Sequence, residues 1–340
     1  MPRELVAPAP EQVQFADYER PALAEGQIRV RSTHGAAKHG TELSLYKGYA
    51  AGRGRYEADL KLFSNDGGGV NYPARLGNIC VGEVVEKGPG VDRVDLGDTV
   101  FHYGSFRQEH VWDQGVRRLP DGVPWQAAVC LDPADFALGA VRDGHVRLGD
   151  AVAVFGLGAI GLLALQLARL AGAHPVIALD PLANRRAAAR ELGADLTLDP
   201  ASCDAGREIK LATGKRGADV VIEYSGHHLA LQAGLRGVAY GGTVVAGAYP
   251  GPWPAGLDLG AEAHMNRPKI VFSRSCSEPN PDHPNWDENR LFEVCWRLLS
   301  NGALRCEPIV QPIVAFEDLP QEYPKIATAP ETNIKLGVNF

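Results

Sequence analysis

The 340-residue chain is 45% hydrophobic and 22% charged, with a formal net charge of −7; this is the texture of a globular protein with length for two domains. The acidic balance and the lack of any basic run argue against a nucleic-acid surface and against binding to a membrane surface. Six scattered cysteines without a C-x-x-C pair exclude a zinc ribbon and a dense disulfide framework. They read as buried reduced thiols. With MPRELVAPAPEQV lacking the basic-then-apolar layout of a signal peptide, the expectation is a cytoplasmic protein.

Up to about residue 130, short β-like runs alternate with Gly, Pro and Asp turns: QIRVRST, VGEVVEKG and DTVFHYG. Within this region AAKHGTELSLYKG (Ala36 to Gly48) sets a histidine, a threonine and a glutamate close together. Ser64 to Tyr72, SNDGGGVNY, has no period and reads as a loop, possible cover for a site. From about Asp135 the rhythm becomes strand–helix: AVAVFG, AIGLLALQLARLAG, PVIALD, LANRRAAARELGA, GADVVIEYSG, GGTVVAGAY, KIVFSRS. That alternation predicts a doubly wound parallel sheet. The apolar run Ala151 to Ala173 has the length of a membrane span, but its internal glycines make it a buried strand, a turn and a helix. A Pro/Asn-rich connection after Cys276 leads to LFEVCWRLLSNG, a helix with Gly302 as its stop, and NIKLGVNF reads as a strand.

VAVFGLGAIG places Gly156, Gly158 and Gly161 in G-x-G-x-x-G spacing after a strand and at the start of a helix. The first glycine permits the tight turn, the second admits a pyrophosphate, and the third packs helix on strand. The N–H groups of the helix start, around Ala159 and Ile160, then face the phosphates. Asp180 ends the next strand, 19 residues past Gly161, where an acid accepts from ribose hydroxyls and repels the extra phosphate of NADP. Arg185 and Arg186 follow it and pull the other way. The cofactor expected is NAD.

Over nearly its whole length the chain resembles the medium-chain dehydrogenase/reductase superfamily, in its sorbitol and threonine dehydrogenase branch. GTELSLYKG is similar to that branch's C-G-T-D-x-x-x-Y-x-G loop, and LGNICVGEVVEKGPGVDRVDLGDTV to its L-G-H-E-x-x-G-E-V-V-E-x-G…G-D-x-V segment. LDPADFALGAVRDGHVRLGD resembles the bridge into its cofactor domain; AHMNRPKIVFSRS and IKLGVNF fit its closing segments. The resemblance implies an α/β protein: a GroES-like β-rich catalytic domain over 1–134 and 276–340, and a Rossmann domain over 135–275. It implies a cytoplasmic homodimer or homotetramer with a small-molecule substrate, and Gly241 to Gly251 is a candidate pairing edge.

The departures bear on chemistry. Where zinc-dependent members have a cysteine, a histidine and a glutamate, this chain has His39, Asn78 and Ile79; the third ligand position matches Asp132. Four cysteines of a structural-zinc lobe are absent as well. Zinc needs three or four close N, S or O ligands, so the expectation is a site without metal. The resemblance then gives His39 or Asp132 acid–base work, Thr41 a proton relay, and Glu42 the support of the site. It places Ser225, after the strand of EYSG, by the nicotinamide, and Lys335 at the pyrophosphate. His39 also reads as a polar filler, Asp132 as a turn or cap residue, and His227 as a helix cap. The function implied is zinc-independent, NAD-dependent oxidation of a hydroxyl on a sugar, cyclitol or polyol. Three alternatives stay open: redox-neutral chemistry on tightly held NAD, a zinc enzyme with unusual ligands, and a non-catalytic NAD-binding protein.

Overall fold

A computed structural model describes residues 1–48, 54–64, 71–250, 253, 256–274 and 285–340. Most of the glycine loop between Ser64 and Tyr72, and Cys276 with most of the Pro/Asn-rich connection, lie outside the described residues. The chain divides into two compact units, Met1–Val129 with Val310–Phe340, and Cys130–Ile309. The first boundary falls within a few residues of the one read from sequence. The second falls at 309/310 rather than at 276, because the helix Glu288–Ser300 packs against the helix Leu131–Asp143 of the second unit. That helix stops at Asn301, and Gly302 takes a φ of +77°, the left-handed conformation common just past a helix end.

The first unit is β-rich. Its main sheet runs Arg117–Arg118, Thr99–Tyr103, Ile79–Lys87, Gln27–Ala36, Gly337–Asn339, Ile313–Ala315, and Glu109–Asp113 also pairs with Gln27–Ala36. Ile28, Val30, Val84 and Val100 fill one core of it. A second core joins Leu5, Leu76, Phe106, Tyr323, Leu336 and Val338, so residues beyond 310 close a structure begun by residues below 110. Each such fully buried side chain contributes roughly 1.5–3 kcal/mol.

The second unit is a six-stranded parallel sheet in the order Leu196–Leu198, Val176–Leu179, Val152–Phe155, Ala218–Glu223, Val238–Ala246, Lys269–Phe272. Val152–Phe155 and Val176–Leu179 are buried at every position, as strands covered on both faces must be. The strand order reverses between Val152–Phe155 and Ala218–Glu223, and ligands of such sheets bind beyond the carboxyl ends of the strands at that crevice. The run Ala151 to Ala173 resolves into a strand, a turn and the helix Ala159–Leu170; among the described residues no helix is long and apolar enough to cross a membrane. The expected pairing edge around Gly241 is not an edge: Val238–Ala246 lies between two strands, and the outer strand is Lys269–Phe272.

Candidate active site

At the switch point of the second unit the glycines divide the work. Gly156 has φ +84°, and a Cβ there would stand 2.4 Å from the Ser225 nitrogen; at Gly161 it would stand 1.9 Å from the Gly156 carbonyl oxygen. Both are glycine because the protein leaves no room for anything else. Gly158 differs: it has φ −72° and ψ −172°, and a Cβ would meet nothing within 4 Å. The fold itself does not ask for glycine there, whereas a pyrophosphate lying close to the backbone does. Gly158 is also the cap of the helix Ala159–Leu170 and provides no side-chain hydrogen bond, so the first N–H groups, those of Ala159, Ile160 and Gly161, suit an anion. The residues present fit a dinucleotide.

Asp180 is buried, and its carboxylate braces the turn, accepting from the Leu157 N–H at 2.9 Å and the Leu182 N–H at 2.9 Å. Arg185 reaches the same carboxylate at 3.4 Å. Arg186 is spent on the Asp180 and Pro181 carbonyls, both at 2.7 Å, and on Asp199. Across the crevice, Ser225 is shaped by Glu223, a residue without a motif to mark it. The Glu223 carboxylate accepts from the Ser225 N–H at 2.6 Å, from the Ser225 hydroxyl, and from the Gly226 N–H at 3.0 Å. Burial, the dominant influence, raises its pKa against those donors. His227 caps the helix His228–Gly237, its Nδ1 accepting from the Leu229 N–H; the capping reading of His227 is the one seen.

In the first unit, His39, Thr41 and Glu42 share the short helix His39–Tyr46. Glu42 is 4% exposed. Its carboxylate accepts from the Lys38 N–H, from the Gly77 N–H at 2.8 Å and from the Tyr323 hydroxyl at 2.8 Å. It thereby ties the helix start to the Leu76–Ile79 segment and to the residues beyond 310. Burial raises its pKa more than these donors and the nearby Lys335 lower it. His39 Nε2 accepts the Leu336 N–H at 2.9 Å. A neutral imidazole has one donor and one acceptor nitrogen, so this bond assigns the proton to Nδ1, and His39 meets other groups through an N–H. The Thr41 residue is exposed, and its carbonyl accepts from the Ser44 hydroxyl at 2.6 Å.

Residues 159–282 match the family described as zinc-binding dehydrogenase. The chain is 44% identical over 349 aligned positions to D-guloside 3-dehydrogenase of Escherichia coli K12, covering 99% of this chain and 100% of that one. It is 30% identical to L-threonine 3-dehydrogenase of Pyrococcus abyssi, over 86% of this chain and 85% of the relative. The crystal structure of 2R,3R-butanediol dehydrogenase from Bacillus subtilis superposes with a TM-score of 0.79 at 21% identity, over 100% of both chains. The chain belongs to the medium-chain dehydrogenase/reductase superfamily. It is an alcohol dehydrogenase-like oxidoreductase that acts on a hydroxyl group with a nicotinamide dinucleotide.

Within this dehydrogenase the remaining expected site residues stand as follows. Asp132 is buried in the first turn of the helix Leu131–Asp143, in the second unit, whereas His39, Thr41 and Glu42 are in the first. Lys335 is 2% exposed, and its ammonium donates to the Ala37 carbonyl at 2.7 Å. It braces the backbone just before His39. Among the described residues no group of three or more His, Cys, Asp or Glu side chains is arranged to hold a metal ion. The Asn78 Oδ1 is buried without a hydrogen-bond partner. Tyr323 and the Leu336 N–H were invisible to sequence reasoning, because nothing in a pattern of neighbours ties residue 42 to 323 or residue 39 to 336.

Proposed function

We infer that this dehydrogenase oxidises a ring hydroxyl of a glycoside, with NAD as the hydride acceptor and without zinc. The substrate class follows from the full-length similarity to D-guloside 3-dehydrogenase. The observation that carries the metal-free reading is the Leu336 N–H on His39 Nε2: the nitrogen lone pair is already engaged at the position where zinc relatives place their first ligand. Asn78 and Ile79 at the neighbouring positions support the same reading, since an amide is a poor zinc ligand and an aliphatic chain is none.

A bound NAD supplies the hydride acceptor at the carbon to be oxidised. Gly156, Gly158 and the N–H groups of Ala159, Ile160 and Gly161 hold its pyrophosphate, and Ser225 borders the nicotinamide end. Asp180 sets the preference for NAD, because its carboxylate would face the extra phosphate of NADP and the adjoining Arg186 is already committed to carbonyls and Asp199. The chain's own task is to manage the hydroxyl proton and the charge left on oxygen. His39 presents Nδ1–H and steadies the developing alkoxide as a donor. For His39 to act as the base, its Nε2 would have to carry a proton aimed at the Leu336 N–H, two donors facing each other. That leaves Thr41 to pass the proton, and the resemblance names Asp132, in the second unit, as a further acid–base candidate. Glu42 and Lys335 hold His39 in place. A second copy of the chain pairs along the outer strand Lys269–Phe272, where Ile270 and Phe272 are exposed.

The test is NADH formation from methyl D-gulosides by enzyme dialysed against a chelator, with elemental analysis of the same sample. Turnover that survives metal removal and falls at least tenfold with NADP in place of NAD is expected. Activity lost on dialysis and regained with stoichiometric zinc would overturn the metal-free reading. Loss of substrate C–H label without net NADH would replace oxidation by redox-neutral chemistry.

A further inference from the structure

Opposite Asp180, the crevice of the second unit has a polar wall built by Glu223 and Ser225. Ser225 follows the strand Ala218–Glu223, and its backbone lies against the glycine turn: a Cβ at Gly156 would stand 2.4 Å from the Ser225 nitrogen and 2.7 Å from its Cα. Asp180 follows the strand Val176–Leu179, on the other side of Val152–Phe155. The two residues thus flank the turn that suits the pyrophosphate. An acid in the place of Asp180 belongs to the adenosine ribose, so Ser225 is left with the half of the dinucleotide beyond the pyrophosphate.

A serine hydroxyl ordinarily rotates to suit its surroundings, donating or accepting as they require. That of Ser225 is not free to do so. Glu223 Oε1 receives the Ser225 N–H at 2.6 Å and the Gly226 N–H at 3.0 Å, and the Ser225 hydroxyl lies against the same oxygen. An oxygen that already receives two N–H groups has no proton to give, so the hydroxyl must donate. This holds in either charge state of Glu223, because a proton could enter only on Oε2. Ser225 Oγ also accepts the His227 N–H at 3.1 Å. A hydroxyl oxygen has two lone pairs, and one remains. Glu223 is 2% exposed whereas Ser225 is an exposed residue, so a buried carboxyl fixes the polarity of a surface hydroxyl.

We propose that Glu223 is a positioning residue that makes Ser225 Oγ an acceptor for a hydroxyl of the nicotinamide-side ribose. That ribose adjoins the pyrophosphate and is the nearest part of this half with a proton to donate; the phosphates have none. Because the acceptor is set before the cofactor arrives, binding does not have to order it. The inference rests on the reading of the second unit as the NAD site, and adds to it the group that recognises the second sugar.

Displacement of NADH fluorescence from the full chain tests this, with NAD and NAD analogues that each lack one ribose hydroxyl as probes. Removing one nicotinamide-side hydroxyl should weaken binding to the native protein about fivefold, as for the loss of one neutral hydrogen bond. Ser225→Ala should bind NAD about fivefold more weakly and be indifferent to that same removal. A hydroxyl removed from the adenosine ribose should cost both proteins alike. Ser225→Thr keeps a hydroxyl and should keep the penalty. Glu223→Met, of similar length but without an acceptor, should lose the penalty, and Glu223→Gln, which retains an acceptor oxygen, should restore it. The Ser225 variants alter only an exposed side chain, so the result does not hang on the buried substitution. NADH binding in which Ser225→Ala or Glu223→Met keeps the full penalty would overturn the proposal and leave the NAD reading intact. Coupling of Ser225 to the adenosine ribose instead would overturn it equally. Absence of NADH binding would overturn the NAD reading itself, and the proposal with it.

Discussion

The glycine turn of the second unit and the His39 helix of the first solve the same problem, holding polar groups still, over different distances in sequence. Asp180 braces Leu157 from 23 residues away, and all elements of the turn lie within one uninterrupted stretch of the chain. Tyr323 reaches Glu42 across 281 residues, and Leu336 reaches His39 across 297. A site braced locally carries its specification in a short pattern. A site braced from afar carries it in the fold, in partners that no pattern displays.

The contrast can be broken most severely inside the turn. Gly161→Val forces a side chain into the Gly156 carbonyl and should leave the second unit unfolded, seen as loss of soluble protein and of cooperative melting. Gly158→Val, two positions from Gly156 but facing open space, should fold normally and lose at least about a hundredfold in NADH affinity, as expected when a backbone approach to pyrophosphate is blocked. Equal effects from the two would dissolve the distinction between packing and ligand glycines.

On the long-range side, Glu42→Ala strands the Tyr323 hydroxyl and the Gly77 and Lys38 N–H groups. At roughly 1–3 kcal/mol for each buried group left unpaired, a loss of about 4 kcal/mol should appear in urea unfolding. His39→Phe should cost about a hundredfold to a thousandfold in kcat, the usual range for removing a donor to a developing oxyanion. NADH affinity should stay within about twofold, the turn being built without His39; a change confined to affinity would place His39 outside the chemistry.

The last expected effect concerns acid. Burial lowers the His110 pKa to about 3 in the folded protein against an ordinary 6.5, so between those values the unfolded chain binds more protons than the folded one. The stability this group contributes is complete above about pH 6.5 and declines as pH falls towards 3, by at most about 1.4 kcal/mol per pH unit. Denaturation followed across pH 4–7 should show the first unit weakening before the second, and His110→Phe should flatten that slope.

How much of this was legible follows from the same distances. The parallel sheet and the glycine turn are set by local periodicity and spacing, and the structure places them as read; Asp180 is occupied in bracing backbone amides. The run of the strand Gln27–Ala36 and the stop at Gly302 were legible for the same reason. The domain boundary at 276 was misplaced because the helix Glu288–Ser300 packs on Leu131–Asp143, a tertiary choice. Gly241 to Gly251 was read as an edge by analogy with oligomeric relatives, from its place near the end of the sheet; the strand Lys269–Phe272 outside Val238–Ala246 makes that strand interior. Lys335 matched a motif position, and its bond to the Ala37 carbonyl, 298 residues away, is one that no motif displays.

The strand Gly337–Asn339 sits in the middle of the first unit's sheet, between Gln27–Ala36 and Ile313–Ala315. During synthesis residues 1–129 leave the ribosome early but lack the strand that completes their sheet, while residues 130–309 emerge as one continuous piece. The cofactor-binding unit can therefore mature first, and the other must wait. The same late segment brings Tyr323 to Glu42 and Leu336 to His39. Assembly thus has a timing rule: a growing chain acquires its nucleotide grip before its His39 helix is locked, and only a chain translated through these last strands has both.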